Sequence, residues 1–114
     1  MARAEIELEN LKTTALRVVA AAAAGGAPGA ESSMLKVKGT ELHQEIRSLT
    51  RRALGPYALP FQPDALAPGS NVEPVGPEYA PGITPAYLNS RKLTIYGGSN
   101  EVQRNIITKA ILKL

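Results

Sequence analysis

Residues 95–107 read IYGGSNEVQRNII, in which two adjacent glycines stand directly before the polar start of a helical pattern. Glycine adopts positive φ angles without steric cost, so Gly97 and Gly98 are expected to end one helix and turn the backbone sharply. Ser99 or Asn100 can then cap the next helix. The segment predicts a tight loop with exposed backbone N–H groups, where an anion or a cofactor can bind. An ordinary glycine hinge between two packed helices is the alternative.

The last segment of the chain is predicted as a helix over 99–113. Gln103 stands three residues after Asn100, which is the spacing of a capping box. Apolar residues then recur every fourth position and indicate a buried face that packs against other helices. They are Val102, Ile106, Ala110 and Leu114, with Ile107 and Ile111 beside them.

The first half of the chain is predicted as two long helices. Residues 2–24 contain no Pro or Gly, and their apolar residues recur at spacings of three and four, as in a helix of a bundle. A second helix is expected over 32–54, with Ser32 or Ser33 as its cap and Gly55 as its stop. The connection is short, so the second helix should return antiparallel to the first. The packed positions of the first helix are Leu8, Leu11, Ala15, Val18 and Ala22.

Residues 56–85 hold eight of the nine prolines of the chain, too many for a regular helix or a central strand. A long Pro-rich loop is therefore expected, either mobile or ordered by packing on another surface. A third helix is predicted over 84–96, with Thr84 as its cap and Pro85 at its first position. Three alternating side chains are expected to anchor the start of the loop: Tyr57, Leu59 and Phe61.

The composition favours close-packed helices. The chain has 114 residues, 44% of them hydrophobic, but only four Tyr and one Phe and no Trp, so its core must be aliphatic. We therefore predict an all-α protein, a partial up-and-down helical bundle with a long Pro-rich loop. The absence of Cys excludes disulfides, thiolate nucleophiles and Cys-ligated metals, and a single His leaves too few ligands for a His-based metal site.

The charge pattern argues against nucleic acid and membrane partners. Thirteen basic and ten acidic residues give a net charge of +3, but the two signs are interspersed, whereas phosphate binding needs a one-sided basic patch. Acidic residues precede the Ala-rich run of the first helix, where a signal peptide would be basic. No apolar stretch reaches the roughly 20 residues of a membrane span. A soluble, cytoplasmic protein is expected.

The second predicted helix carries other polar residues that could have a catalytic or binding role. Glu41 and Glu45 lie one turn apart and flank His43, but arginines within helical reach favour a solvated, ion-paired face over paired catalytic carboxylates. The basic residues near the end of this helix suit the negative end of the helix dipole, and phosphate binding is the alternative. They are Arg47, Arg51 and Arg52.

The run at 95–107 resembles the C-terminal signature of the acyl-CoA dehydrogenase family. Upstream, residues 33–42 (SMLKVKGTEL) and 54–56 (LGP) resemble the preceding long helix of that family and its exit. The resemblance covers nearly the whole chain. It implies that residues 1–114 form a fragment of a C-terminal helical-bundle domain, whose N-terminal helical domain and middle β-domain lie outside this chain.

The resemblance also implies an activity for a longer parent protein of fatty acid metabolism. In this family an acyl-CoA thioester loses a proton from Cα while a hydride passes from Cβ to the flavin of FAD. An electron-transfer flavoprotein or another acceptor then reoxidises the flavin. FAD lies across a subunit interface, so a homo-oligomer or a related dehydrogenase subunit is the expected partner. The fragment alone is expected to be inactive.

Site residues carry over from the family by position. Ser99 matches the hydroxyl residue that contacts FAD, Glu101 matches a polar FAD neighbour, and Tyr96 leads the loop beside the flavin ring, which Gly97 and Gly98 complete. Many members carry the catalytic Glu where this chain has Gly97, and a residue without a side chain cannot remove a proton. No catalytic residue is therefore assigned here, and the base is expected on an earlier helix or in a partner subunit.

Two other functions remain open from the sequence. One is a stand-alone helical interaction module or a non-catalytic subunit of a dehydrogenase complex, which would retain the bundle without the chemistry. The other is a basic regulatory protein that binds nucleic acid, which requires the one-sided basic patch described above.

Overall fold

A computed structural model describes residues 2–27 and 29–113, and these residues form α-helices and short 3-10 helices without a strand among them. The predicted all-α class is confirmed. The described chain divides into two compact units, one formed by residues up to His43 and from Lys92 onward, the other by 44–91. The α-helices are α1 (Ala2–Ala23), α2 (Ala30–Leu54), α3 (Ala80–Asn89) and α4 (Asn100–Leu112), and the 3-10 helices are Gly55–Ala58, Asp64–Leu66 and Ser90–Thr94.

In the first unit, α1 and the first part of α2 pack against each other. Gly25 has a φ of 85°, and the Gly26 N–H donates to the Ala21 carbonyl at 2.9 Å, which closes the end of α1 as its sequence predicts. Leu11 lies against the Cα face of Gly39, 3.7 Å from where a Cβ would stand. Because these two residues lie well before and well after a short connection, the helices run antiparallel. Their buried apolar residues are Ala4, Val37 and Leu42.

The apolar faces predicted for α1 and α4 are only partly covered within the chain. Leu8 and Ala22 of α1 are exposed, whereas its three other predicted positions are partly buried. On α4 the prediction of a buried face is wrong for the described part of the single chain, because Ile106 is 45% exposed and, of the predicted positions described, only Ile107 is half-buried. A helix buries a full stripe only where neighbouring elements cover it. Leu114 lies outside the described residues; the exposed positions are Val102, Ile106, Ala110 and Ile111.

The start of α2 differs from its prediction. The helix begins at Ala30, so Ser32 and Ser33 lie inside it and neither is its cap. The Ser32 N–H donates to the Gly29 carbonyl at 3.2 Å, which closes a turn before the predicted start, and Glu31 complements the positive end of the helix dipole. The helix ends at Leu54, the predicted last residue, where Gly55 has a φ of 62°.

In the second unit, the Pro-rich segment is held by contacts between its own residues. The Gln62 side chain makes two hydrogen bonds with the backbone of Val75, and we call this pair of contacts the Gln62 clasp. Its Oε1 accepts from the Val75 N–H at 2.6 Å, and its Nε2 donates to the Val75 carbonyl at 3.4 Å. Gly76 lies against the Tyr57 ring, where any side chain would collide at 2.7 Å. Local contacts thus order this segment, and it includes two 3-10 helices.

The third helix starts earlier than predicted. Residue Ala80 begins α3, Pro81 occupies its first turn, and Pro85 lies inside the helix. Thr84 is not a cap, because its hydroxyl donates to the Ala58 carbonyl at 2.6 Å. After Asn89 the chain tightens into a 3-10 helix, so the predicted helix over 84–96 is wrong at both ends.

The predicted anchor of the Pro-rich segment is also wrong. Tyr57 and Leu59 are exposed, Phe61 is 86% exposed, and Ala58 is the buried residue instead. The expectation assumed an extended chain in which alternate residues share a face. Tyr57 instead lies in a 3-10 helix that ends at Ala58, so the chain is not extended where the predicted anchor begins.

Candidate functional site

The segment between the Ser90–Thr94 helix and α4 forms a loop of exposed backbone. Gly97 has a φ of 67° and Gly98 a φ of 84°, the left-handed conformation that their identity predicts. Among the described residues, no atom lies within 4 Å of the position that a Cβ would take on Gly97, so this face of the loop is open. The same position on Gly98 is 2.7 Å from Nε2 of Gln103, which covers it. The open side of the loop is therefore the Gly97 side, next to the exposed Tyr96.

The serine that follows the glycines caps α4. Ser99 is extended, with φ −60° and ψ 157°, and its Oγ accepts from the Val102 N–H at 3.4 Å. The Gln103 N–H donates to the Ser99 carbonyl at 2.9 Å and begins the helical ladder. Asn100 is thus the first helical residue rather than the cap, and the predicted capping box from Asn100 to Gln103 is wrong.

Glu101 occupies the first turn of α4 and is fully exposed. A hydrogen bond with the Ser99 hydroxyl lowers the pKa of this carboxyl below its ordinary value of 4.5, and the backbone N–H of Glu101 lowers it further. The ionised carboxylate complements the positive end of the α4 dipole. An exposed carboxylate with a lowered pKa is a weak base, so this side chain is poorly suited to remove a proton from a carbon acid.

A buried polar cluster lies directly behind the loop. Asn100 is 3% exposed, and its Oδ1 accepts from the Lys36 ammonium at 2.7 Å. Its Nδ2 donates to the Thr40 Oγ at 3.2 Å, and the Thr40 hydroxyl donates to the Val37 carbonyl at 2.9 Å. The first residue of α4 is therefore fixed to α2 by an amide that uses both its acceptor and its donor.

A second connection between the same helices lies at the surface. The Arg104 guanidinium donates to a Glu41 carboxylate oxygen at 2.7 Å, and Lys38 lies 4.0 Å from the other oxygen. The predicted ion-paired face of α2 is thus present at Glu41, where the partners are Arg104 of α4 and Lys38 of α2.

Arg51, one of the three predicted cations at the end of α2, packs on an aromatic ring in the second unit. The guanidinium carbon of Arg51 lies 4.7 Å from the centroid of the Tyr87 ring, and that of Arg91 lies 4.6 Å from the same centroid. The Arg51 Nε is buried and has no hydrogen-bond partner in the part of the chain that the structure describes. This stacking gives Arg51 a packing role, which argues against phosphate binding by this residue.

An apolar groove of about 280 Å³ runs between α1 and α2 in the first unit. Its lining shares no residue with the glycine loop. Its lining residues are Glu7, Asn10, Leu11, Thr14, Met34, Leu35, Lys38 and Leu42.

Two general features of the described chain bear on its partners. Within residues 2–27 and 29–113, no group of three His, Asp or Glu side chains is placed to hold a metal ion. None of the helices in this part of the chain is long and apolar enough to cross a membrane.

The structure brings the five predicted site residues together in one loop and first helical turn. They are Tyr96, Gly97, Gly98, Ser99 and Glu101. The cluster behind them was not predicted. Lys36 and Thr40 are four residues apart and so share a face of α2, but nothing in the sequence pairs that face with Asn100.

A family model described as Acyl-CoA dehydrogenase, C-terminal domain, matches residues 1–112 of the chain. No curated protein and no solved structure matches the chain significantly.

Proposed function

Since the chain belongs to the acyl-CoA dehydrogenase family through its C-terminal domain, we propose that it supplies a flavin-contacting loop to an FAD-dependent enzyme that dehydrogenates acyl-CoA thioesters. The observation that carries this proposal is the Gly97-Gly98 pair with positive φ angles, directly before the Ser99-capped α4. A loop without side chains lets a planar ring approach the backbone closely.

The residues of this loop fit part of a flavin nucleotide. Gly97 leaves open space on its Cα side, and Tyr96 beside it is exposed. The Ser99 oxygen and the Glu101 carboxylate provide hydrogen-bond acceptors. Because Glu101 already neutralises the positive end of α4, we expect this loop to receive hydroxyl or amino groups of the nucleotide rather than its phosphates.

FAD, when bound, supplies the acceptor for the hydride that leaves the substrate. In this proposal, Tyr96, Gly97 and Gly98 contact the flavin, and Ser99 and Glu101 orient the nucleotide. No residue of the loop removes the proton from Cα. Gly97 has no side chain, and the lowered pKa of Glu101 makes it a weak base. We therefore place the base outside this chain, on an earlier helix of the parent protein or in a partner subunit.

The partners follow from the same proposal. The half-exposed apolar face of α4 and the exposed apolar residues of α1 support assembly with a second copy or with a related dehydrogenase subunit. The acyl-CoA substrate and an electron-transfer flavoprotein are partners of the parent enzyme, for which we propose a cytoplasmic location.

A second candidate is a non-catalytic subunit of a dehydrogenase complex or a stand-alone helical interaction module. The observation that favours it is the glycine at position 97, where many family members carry the catalytic carboxylate. Such a subunit would keep the loop and the apolar faces while a partner performs the chemistry.

The test is a titration of the full-length parent protein with FAD, as wild type and as Gly97→Ala. Binding is measured by flavin fluorescence. The substitution forces a side chain into a left-handed backbone and into the open face of the loop. We expect the protein to fold and flavin affinity to fall on the order of tenfold, about 1.4 kcal/mol of binding free energy, because the added methyl group separates the flavin from the backbone that it contacts.

Gly69→Ala is the matched control, because Gly69 has a φ of 74° and equally open space but lies in the Pro-rich segment. It should show the same backbone strain, about 1 kcal/mol, with unchanged flavin affinity. Equal flavin binding by wild type and Gly97→Ala would refute the role of the loop. The non-catalytic candidate would be favoured if the protein binds flavin but acyl-CoA does not reduce that flavin, and if adding a second subunit restores the reduction.

A further inference from the structure

Three residues of the loop at 96–99, Tyr96, Gly97 and Gly98, are exposed, so the helix start that follows them bears on the position of the loop. The Tyr96 N–H donates to the Lys92 carbonyl at 3.1 Å, but both glycines are exposed, and a residue without a Cβ has the widest choice of backbone conformations. A binding loop with this freedom loses entropy when a ligand orders it. Its affinity therefore depends on how firmly the neighbouring helix start is held.

The start of α4 is held from behind by α2. Asn100 directly follows the capping Ser99, and its side chain is among the most buried polar groups of the described chain. The Lys36 ammonium lies 2.7 Å from the Asn100 oxygen, which makes this a short, charge-assisted hydrogen bond. The Thr40 oxygen accepts from the amide nitrogen at 3.2 Å. Rotation of the Asn100 side chain would break both contacts.

We propose that Lys36 and Thr40 are positioning residues that fix Asn100 and thereby hold the Gly97-Gly98-Ser99 loop in its flavin-binding conformation. The inference rests on the proposed function for its ligand. The positioning itself concerns the ligand-free chain: without these contacts, α4 would start later and the loop would lengthen into a mobile segment.

Lys36 differs from the two other cations near it, Lys38 and Arg104, in the residue that it contacts. Lys38 lies two residues further along α2 and contacts Glu41 at 4.0 Å at the surface, not Asn100. Arg104 also contacts Glu41, one turn into α4. Lys36 is therefore the cation that reaches the first residue of α4, and Lys38 is a matched cation that does not.

The first experiment is hydrogen exchange of the full-length parent protein without flavin. Mass spectrometry of peptides that cover 95–104 measures the exchange. We compare Lys36→Met with Lys38→Met, which remove the same charge from the same helix. We expect faster exchange in this segment for Lys36→Met alone, with α2 peptides over 44–54 unchanged. Uniformly faster exchange, or no change at 95–104, would overturn the proposal.

Thr40 provides an independent test with a conservative rescue. Thr40→Val removes the oxygen that accepts from Asn100, whereas Thr40→Ser keeps it. We expect faster exchange at 95–104 for Thr40→Val and wild-type exchange for Thr40→Ser. If both variants exchange alike, the hydroxyl does not position the loop.

The second experiment is FAD titration of the same variants. We expect Lys36→Met and Thr40→Val to lose on the order of tenfold in FAD affinity, as for other residues that orient a binding group from behind. Lys38→Met and Thr40→Ser should bind as the wild type does. If the wild type binds no FAD, the proposed function fails while the exchange experiment still decides the positioning. If the wild type binds FAD and Lys36→Met binds it equally well, the positioning proposal fails alone.

Discussion

The Arg104 guanidinium lies 2.7 Å from a carboxylate oxygen of Glu41, which ties the second turn of α4 to the middle of α2. One turn earlier, Lys36 contacts Asn100 across the same pair of helices. The two connections differ in environment, because Asn100 is buried whereas the Arg104 and Glu41 side chains are 55% and 42% exposed. We infer that the buried amide fixes the position of α4 and that the surface pair adds little stability.

A double-mutant cycle measures the surface pair directly. Arg104→Met, Glu41→Gln and the double variant should give a coupling energy of about 0.2–1 kcal/mol in urea unfolding, the range of exposed ion pairs. The coupling should shrink as salt rises from low to physiological concentration, because exposed charges are screened. The Arg3 and Glu7 pair on α1, with N and O 3.2 Å apart, is the comparison. A coupling well above 1 kcal/mol, insensitive to salt, would contradict the surface assignment.

The stability of the chain should depend on the ionisation of Glu101. Folding lowers the pKa of this carboxyl below its ordinary value of 4.5, chiefly through the Ser99 hydroxyl. The ionised form is therefore favoured in the folded state, and its contribution is present above pH 4.5 and lost as the pH falls through the lowered folded value. Melting temperatures of wild type and Glu101→Gln should differ at pH 7 and converge toward pH 3. A difference that persists or widens at low pH would contradict this linkage.

The apolar face of α4 should matter for association more than for folding of the single chain. Ile106 is 45% exposed, so Ile106→Asp should change the free energy of unfolding of the monomer by less than about 1 kcal/mol. If this face joins two subunits, the same variant should be monomeric by light scattering where the wild type is not, since an unpaired charge in an interface is strongly unfavourable.

Val72→Asp is the matched control for that measurement, because Val72 is also an exposed β-branched residue, but in the Pro-rich segment. It should leave the mass in solution unchanged. Equal dissociation by both variants, or a wild type that stays monomeric at every concentration, would remove α4 from the interface.

Local features of the fold could be predicted from the sequence, because their causes lie within a few residues. Gly97 and Gly98 have the positive φ angles that only glycine adopts readily, and α2 ends at Leu54 before another glycine. The extent of α1 follows from a long segment without Pro or Gly. The loop and the cap at Ser99 were predictable for the same reason.

Features that depend on distant partners were not predictable. Thr84 has the sequence pattern of a cap, but its hydroxyl donates to the Ala58 carbonyl, 26 residues earlier. Asn100 was one of two possible caps and instead bonds to Lys36, 64 residues away. A short polar side chain serves equally well in local and distant hydrogen bonds, and only the folded chain decides between them.

The clasp between Gln62 and Val75 has a consequence for how the chain can vary in length. Because Gln62 and Val75 are joined by hydrogen bonds, residues 63–74 form a closed loop. Its tip can grow without moving either of the two joined residues. Each doubling of such a loop costs only about 0.6 kcal/mol of closure entropy. The tip near Gly69 and Ser70 is therefore a permissive place for inserted residues, including an epitope tag, in a domain whose other connections are short.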